Sequence, residues 1–344
     1  MTVLLRSLSL PLIRLLFKFV IHNINGKIQT TQPKHPKASV VFAALSSYGF
    51  KCGKLSEFDF LPTFCDDLRA RGYSTHLVVS EAAAQNIISQ NVPSILILVF
   101  GEDREIPNQR KVSPLCLSAN AVYNSIYAAN ILQDKKLTNV HLASFGVPTP
   151  AIMNSSETRI FSNENNNSGA NTQVIDIGEE VSKERYNTEF IDTTIKFEDD
   201  LYYTAVRLMC VDANIISSFV RARKVTDYGA NAGVHSGNTP LHSELLSFLF
   251  DKLISPNSAR FSEISQNIFE ALGHGFYSHD LLVDIRKNKI YLCESGFKFD
   301  DYGIWRRMKP ICEDENFPFD FSSGSDVGAM AAQQFSKNIE THII

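Results

Sequence analysis

The stretch HDLLVDIRKNKIYLCES, His279 to Ser295, decides how this sequence is read. An apolar run, a Lys287-Asn288-Lys289 turn and a second apolar run predict an antiparallel hairpin. Each strand carries an acid at the same end, Asp280 near the start of the first and Glu294 at the end of the second, and antiparallel pairing makes those positions neighbours. Carboxylates held side by side repel unless a cation lies between them, and hard oxygen donors at that spacing suit a Mg²⁺ that bridges phosphates. The plainer alternative is a pair of solvated acids at the rim of a hairpin.

Working upstream, YYTAVRLMCVDANIISSFVRARKV (Tyr202 to Val225) reads as two strands turning at Asp212-Ala213-Asn214. Arg207, Arg221 and Arg223 lie among apolar residues there, where a buried guanidinium needs a phosphate or a carboxylate beside it. TEFIDTTI (Thr188 to Ile195) reads as a strand, Arg159 to Asp176 as strand, Asn-rich turn and strand, and Pro240 to Leu253 and Ser262 to Leu272 as helices. This half is α+β.

The first half alternates differently. Ser39 to Leu45, Ser74 to Ser80 and Pro93 to Glu102 are short apolar runs separated by helical segments over Phe58 to Arg71 and Glu81 to Gln90, which predicts a doubly wound α/β lobe with buried parallel strands. Ser118 to Ser144 has helical spacing, and GVPTP (Gly146 to Pro150) stops it.

The 344 residues carry 33 Lys and Arg against 37 Asp and Glu. That small imbalance gives no support for a nucleic-acid partner. It is unevenly placed: no acid precedes Glu57, while eight basic residues do, leaving 25 basic against 37 acidic residues for the remainder. Within residues 3 to 24, Arg6, Arg14 and Lys18 interrupt the apolar run, so it lacks the roughly 20 uncharged residues that span a bilayer. Arg14, Lys18 and His22 form one polar stripe on an apolar cylinder. Three readings fit: peripheral membrane contact, an organelle-targeting peptide, or a helix docked on its own domain. The six cysteines are scattered, with no CxxC pair, as in a reduced, cytoplasmic chain.

Taken in order, these strings resemble the ATP-grasp superfamily, and within it carboxylate-amine ligases such as D-alanyl-D-alanine ligase, glutathione synthetase and the ribosomal-protein glutamate ligase. VYNSIYAANILQDKKLTNVHLASFGVPTP (Val122 to Pro150) is similar to the segment leading into the ATP lobe, and GFYSHDLLVDIRKNKIYLCESGFKFD (Gly275 to Asp300) to the metal-carboxylate hairpin. TEFIDTT is similar to the hinge strand that holds adenine, and NAGVHSGN (Asn231 to Asn238) to the loop after the arginine strands. The resemblance spans roughly residues 38 to 310. It implies a doubly wound N-terminal lobe followed by two α+β subdomains that clasp a nucleotide. The divisions are a basic leader and linker (1 to 37), an α/β domain (38 to 120), an ATP-grasp domain (121 to 310) and a C-terminal tail (311 to 344).

The resemblance also implies roles. Lys135 contacts ATP phosphates; Glu189, Phe190 and Ile191 form the adenine hinge; Asp192 reaches the ribose. Arg207 and Arg221 face phosphate or an acyl phosphate, and Asp280 and Glu294 hold Mg²⁺. ATP and Mg²⁺ are the implied cofactors, a small carboxylate and an amino acid-like amine the implied substrates, and a homodimer the implied assembly. The implied function is ATP-dependent ligation through an acyl phosphate; a phosphotransferase and a noncatalytic nucleotide-binding protein are the alternatives.

Two positions depart from the pattern. Ser162 stands where the family's strand usually supplies a second lysine, followed by a loop whose single glycine is Gly169. Gly296 stands where the metal motif usually has an Asn. Asp284, Asp300 or Asp301 is then the expected replacement ligand, and Lys298 or Arg223 the replacement cation. His274 and His279 are expected to hydrogen-bond strand ends, and His235, in a glycine-flanked loop, to reach substrate.

Overall fold

A computed structural model describes residues 31–45, 60–90, 92–99, 109–165, 172–225, 234, 243–297 and 324–342. The leader, His235, Gly169, Lys298, Asp300 and Asp301 lie outside the described residues.

The N-terminal lobe contains a four-stranded parallel sheet in the order β2-β1-β3-β4. Its strands are β1 (Ser39–Ala43), β2 (Ser74–Val78), β3 (Ser94–Leu98) and β4 (Ala121–Tyr123). Strands β1 and β3 are buried along their whole length, because helices cover both faces of a parallel sheet. Helices α1 (Phe60–Ala70), α2 (Glu81–Ile88) and α3 (Gln109–Ser118) belong to this lobe. Ser80 caps α2 by accepting from the Ala83 N–H.

The helical run expected over Ser118 to Ser144 is broken in the structure. It contains β4, then α4 (Ile126–Leu132) and α5 (Lys135–Ser144). Asn124 makes the break: it adopts a φ of 56°, a conformation Asn tolerates better than most residues. Its side chain donates to the Leu98 carbonyl and accepts from the Phe276 N–H. These long-range bonds outweigh a helical periodicity that is purely local.

A three-stranded antiparallel sheet follows, β6-β5-β7, from β5 (Ile160–Asn163), β6 (Gln173–Ile175) and β7 (Tyr186–Glu189). The third sheet runs β10-β9-β11-β12, with β8 (Thr194–Phe197) paired to β9. Its other strands are β9 (Asp200–Val211), β10 (Asn214–Lys224), β11 (Phe276–Asp284) and β12 (Lys289–Gly296). Thr188 to Ile195, expected as one strand, is instead the tail of β7, a connection, and the head of β8 in a different sheet. Both expected hairpins form, with Asp212 and Asn288 at positive φ in their turns.

The faces of the third sheet divide the molecule. On one face Val206, Leu208, Val220 and Leu281 join a core with α6 (Ser243–Leu249) and α7 (Ser258–Leu272) through Leu245, Ile264 and Ile268. On the other, Met209, Val211 and Phe276 join the N-terminal core with Phe64, Tyr123 and Phe335. Phe335 lies on α8 (Gly324–His342), so the last helix completes the core begun by the first strands. Asp212 pins this junction: its carboxylate accepts from the Tyr123 hydroxyl (3.1 Å), the Asn338 side chain (2.7 Å) and the Gly275 N–H (3.0 Å).

Candidate nucleotide and metal site

Side chains directly opposite across antiparallel strands share a face. The register pairs Phe219 with Arg207, Arg207 with Asp280, and Asp280 with Glu294. One row therefore crosses four strands, and Arg221 and Arg223 lie on the same face at two-residue steps from Phe219. This is the face whose other end lies under the N-terminal lobe.

Arg207 holds Asp280 in a two-pronged bond, Nε to Oδ1 at 2.6 Å and Nη2 to Oδ2 at 2.7 Å. Arg221 Nη1 approaches the same Oδ2 at 3.4 Å. The three side chains retain 11% (Arg207), 15% (Asp280) and 4% (Arg221) of their exposure, so water screens them poorly. Glu294 is half-buried. The expected juxtaposition of the two acids thus forms, with a guanidinium already engaging one of them.

The register skips between Asp280/Glu294 and Leu281/Leu292, leaving Cys293 unpaired as a β-bulge. Bulges re-aim side chains, and both Cys293 and Glu294 line a cleft with Lys135, Thr138, Asn139, Thr149, Tyr186 and Leu292. Lys135 comes from the first turn of α5, which Asp134 caps by accepting from the Leu137 N–H at 2.7 Å. It is 8% exposed and forms no hydrogen bond or ion pair with another described residue. An ammonium lining a cleft without a partner is available to an anion that enters it. Asn139 shapes the wall, donating to the Tyr186 hydroxyl and the Pro150 carbonyl, both at 2.9 Å.

The residues expected to form the hinge, Glu189, Phe190, Ile191 and Asp192, run from β7 into the connection to β8, which lies in a different sheet. Glu189 accepts from the Ala151 N–H, Phe190 stacks under Arg159 and Ile191 is buried. Asp192 is engaged by Thr194 and, at 2.9 Å, by Arg286.

The replacement ligand expected at Asp284 is not placed for the role. It pairs with Lys289 at the turn end of β11 and contacts Lys287, four residues from Asp280, or roughly 13 Å along a strand. Among the described residues no group of three or more His, Cys, Asp or Glu side chains could enclose a metal. Two carboxylates, Asp280 and Glu294, suit a Mg²⁺ that takes its remaining ligands from phosphate and water. His279 is fully buried with Nδ1 2.9 Å from Ser295 Oγ, and burial lowers it to about 3; it is a neutral strand-to-strand tie, as expected.

Two features escaped the sequence reading. Arg185, just before β7, donates to buried Ser162, so a cation from the segment leading into β7 stands over the position expected to hold a lysine. The Tyr186 and Asn139 wall was missed because only tertiary packing joins residues 47 apart.

No protein-family model matches the sequence, and no curated protein matches it. Among solved structures, the chain is similar to N5-carboxyaminoimidazole synthetase from Staphylococcus aureus, solved with ADP: 11% identity, TM-score 0.50, covering 88% of this chain and 79% of that one. It is also similar to D-alanine–D-alanine ligase from Bacillus anthracis (12%, TM-score 0.47, 88% and 99% covered). A third is a RimK domain ATP-grasp protein from Sphaerobacter thermophilus (15%, TM-score 0.45, 86% and 98% covered). The first of these shows the fold: mixed α/β with a parallel lobe and antiparallel sheets, the architecture of ATP-grasp structures.

Proposed function

We propose that this protein is a Mg²⁺-dependent ligase that uses ATP to activate a small carboxylate as an acyl phosphate, which an amine then displaces. The observation that carries this reading is the row Arg207, Asp280 and Glu294 on one sheet face, with Lys135 buried in the adjoining cleft. Arg207 and Arg221 contact Asp280, and Lys135 lines the cleft beside Glu294, cations suited to a polyphosphate.

In this reading Lys135 and Arg185 bind phosphate, and the Glu189 to Ile191 connection holds the base. Asp280 and Glu294 hold Mg²⁺, whose chemistry is to neutralise charge on the transferred phosphoryl group. Arg207 and Arg221 stabilise the oxygens that gain charge as the carboxylate attacks. The amine needs no covalent enzyme nucleophile, since the acyl phosphate is already activated. The Staphylococcus synthetase that shares the fold was solved with ADP, which agrees with this use of the cleft.

The test is release of ADP and phosphate from Mg-ATP across a matrix of small carboxylates and amines, with Asp280→Asn and Glu294→Gln as controls. ADP release that requires both substrates and is lost in either variant supports the ligase. A phosphorylated product formed without amine would replace it with a phosphotransferase, and ATP binding without turnover with a noncatalytic binder.

A further inference from the structure

We propose that Arg207 sets the order of ligand entry: a divalent cation reaches Asp280 only together with a polyphosphate that takes the Arg207 guanidinium in exchange. This rests on the nucleotide and metal reading above and adds an order and a residue responsible for it.

Both Asp280 oxygens accept from Arg207, at 2.6 and 2.7 Å, and Arg221 stands 3.4 Å from one of them. A cation approaching Asp280 therefore meets two guanidinium charges at short range in a poorly screened site. Glu294, the other neighbour in the row, is a single half-buried carboxylate, too little to compensate a hard ion for the water it must shed.

A polyphosphate resolves the conflict because its oxygens match the guanidinium fork as well as a carboxylate does. As the fork turns from Asp280 to phosphate, the lone pairs of Asp280 become available to the ion that arrives with it. The clamp also holds Asp280 in register until then, so the site is shaped before the ligand enters.

The test uses the full chain and Mn²⁺ as the probe, free ion being read by electron paramagnetic resonance. The wild type is expected to bind Mn²⁺ at least about tenfold more tightly with a non-hydrolysable ATP analogue than without nucleotide. Without nucleotide, Arg207→Gln is expected to bind Mn²⁺ about tenfold more tightly than wild type, and Arg207→Lys, which keeps the charge but not the fork, to fall between. Adding Asp280→Asn to Arg207→Gln should abolish the gain. Equal Mn²⁺ affinity of wild type with and without bound analogue overturns the order, and an Arg207→Gln protein no better than wild type overturns the clamp. Analogue binding is followed separately by thermal shift. If the analogue fails to bind while Arg207→Gln still gains Mn²⁺ affinity, the nucleotide reading and the exchange fall together and only the clamp stands.

Discussion

The Nε of Arg185 donates to the Oγ of Ser162 at 2.8 Å, placing a guanidinium over the β5 residue where the family resemblance expects a lysine. The charge comes from the residue that precedes β7 instead of from β5 itself. Arg185→Gln is therefore expected to weaken ATP binding about tenfold, and Ser162→Lys in that background to recover part of the loss. Calorimetric titration of ATP checks both. An unchanged affinity in Arg185→Gln would confine Arg185 to bracing the strands.

Lys135 gives the sharpest separation of function from stability. Its side chain has no bonding partner among the described residues, so the fold gains nothing from an ion pair or hydrogen bond of its ammonium. Lys135→Met is expected to reduce ATP affinity roughly 10- to 100-fold while leaving the melting temperature unchanged or higher. A melting temperature lowered by several degrees would show that the lysine supports the fold.

The two proposed metal carboxylates should differ in stability cost. Asp280→Asn leaves Arg207 partly uncompensated in a site only 11% exposed and is expected to cost about 2–3 kcal/mol. Glu294→Gln, on a half-buried side chain, should cost under about 1 kcal/mol. Urea denaturation of both variants measures the difference, and equal costs would contradict the clamp geometry.

Asp212 ties β4, α8 and the start of β11 to the β9–β10 turn. Asp212→Ala removes one acceptor from three donors, and about 2–4 kcal/mol of stability should go with it. Asp212→Asn tolerates the positive φ of 56° and should cost less. Thermal unfolding of the two variants, compared side by side, decides this.

The C-terminal helix adds a small pH dependence. The Tyr73 hydroxyl and Lys37 hold the Glu340 carboxyl below its ordinary 4.5. A depressed carboxylate stabilises above its unfolded pKa, and the contribution disappears as pH falls through the lower folded value. Glu340 is about half exposed, so the effect is about half a kcal/mol or less. Glu340→Gln should flatten the stability profile below pH 4.5, and an unchanged profile would show that the contact contributes nothing.

The alternating apolar runs Ser39 to Leu45, Ser74 to Ser80 and Pro93 to Glu102 determined the parallel lobe, because strands buried on both faces must be apolar throughout. The hairpin His279 to Ser295 likewise determined that Asp280 and Glu294 meet, since antiparallel register follows from the turn. Locally encoded patterns such as these are legible residue by residue. The strand at Ala121–Tyr123 was not, because Asn124 breaks the run through bonds to Leu98 and Phe276, residues distant in sequence. Nor could spacing show that Arg207 is bonded to Asp280, that Cys293 bulges beside Glu294, or that Arg185 covers Ser162. Those depend on which strands become neighbours, and that choice is made by burying two cores against opposite faces of one sheet.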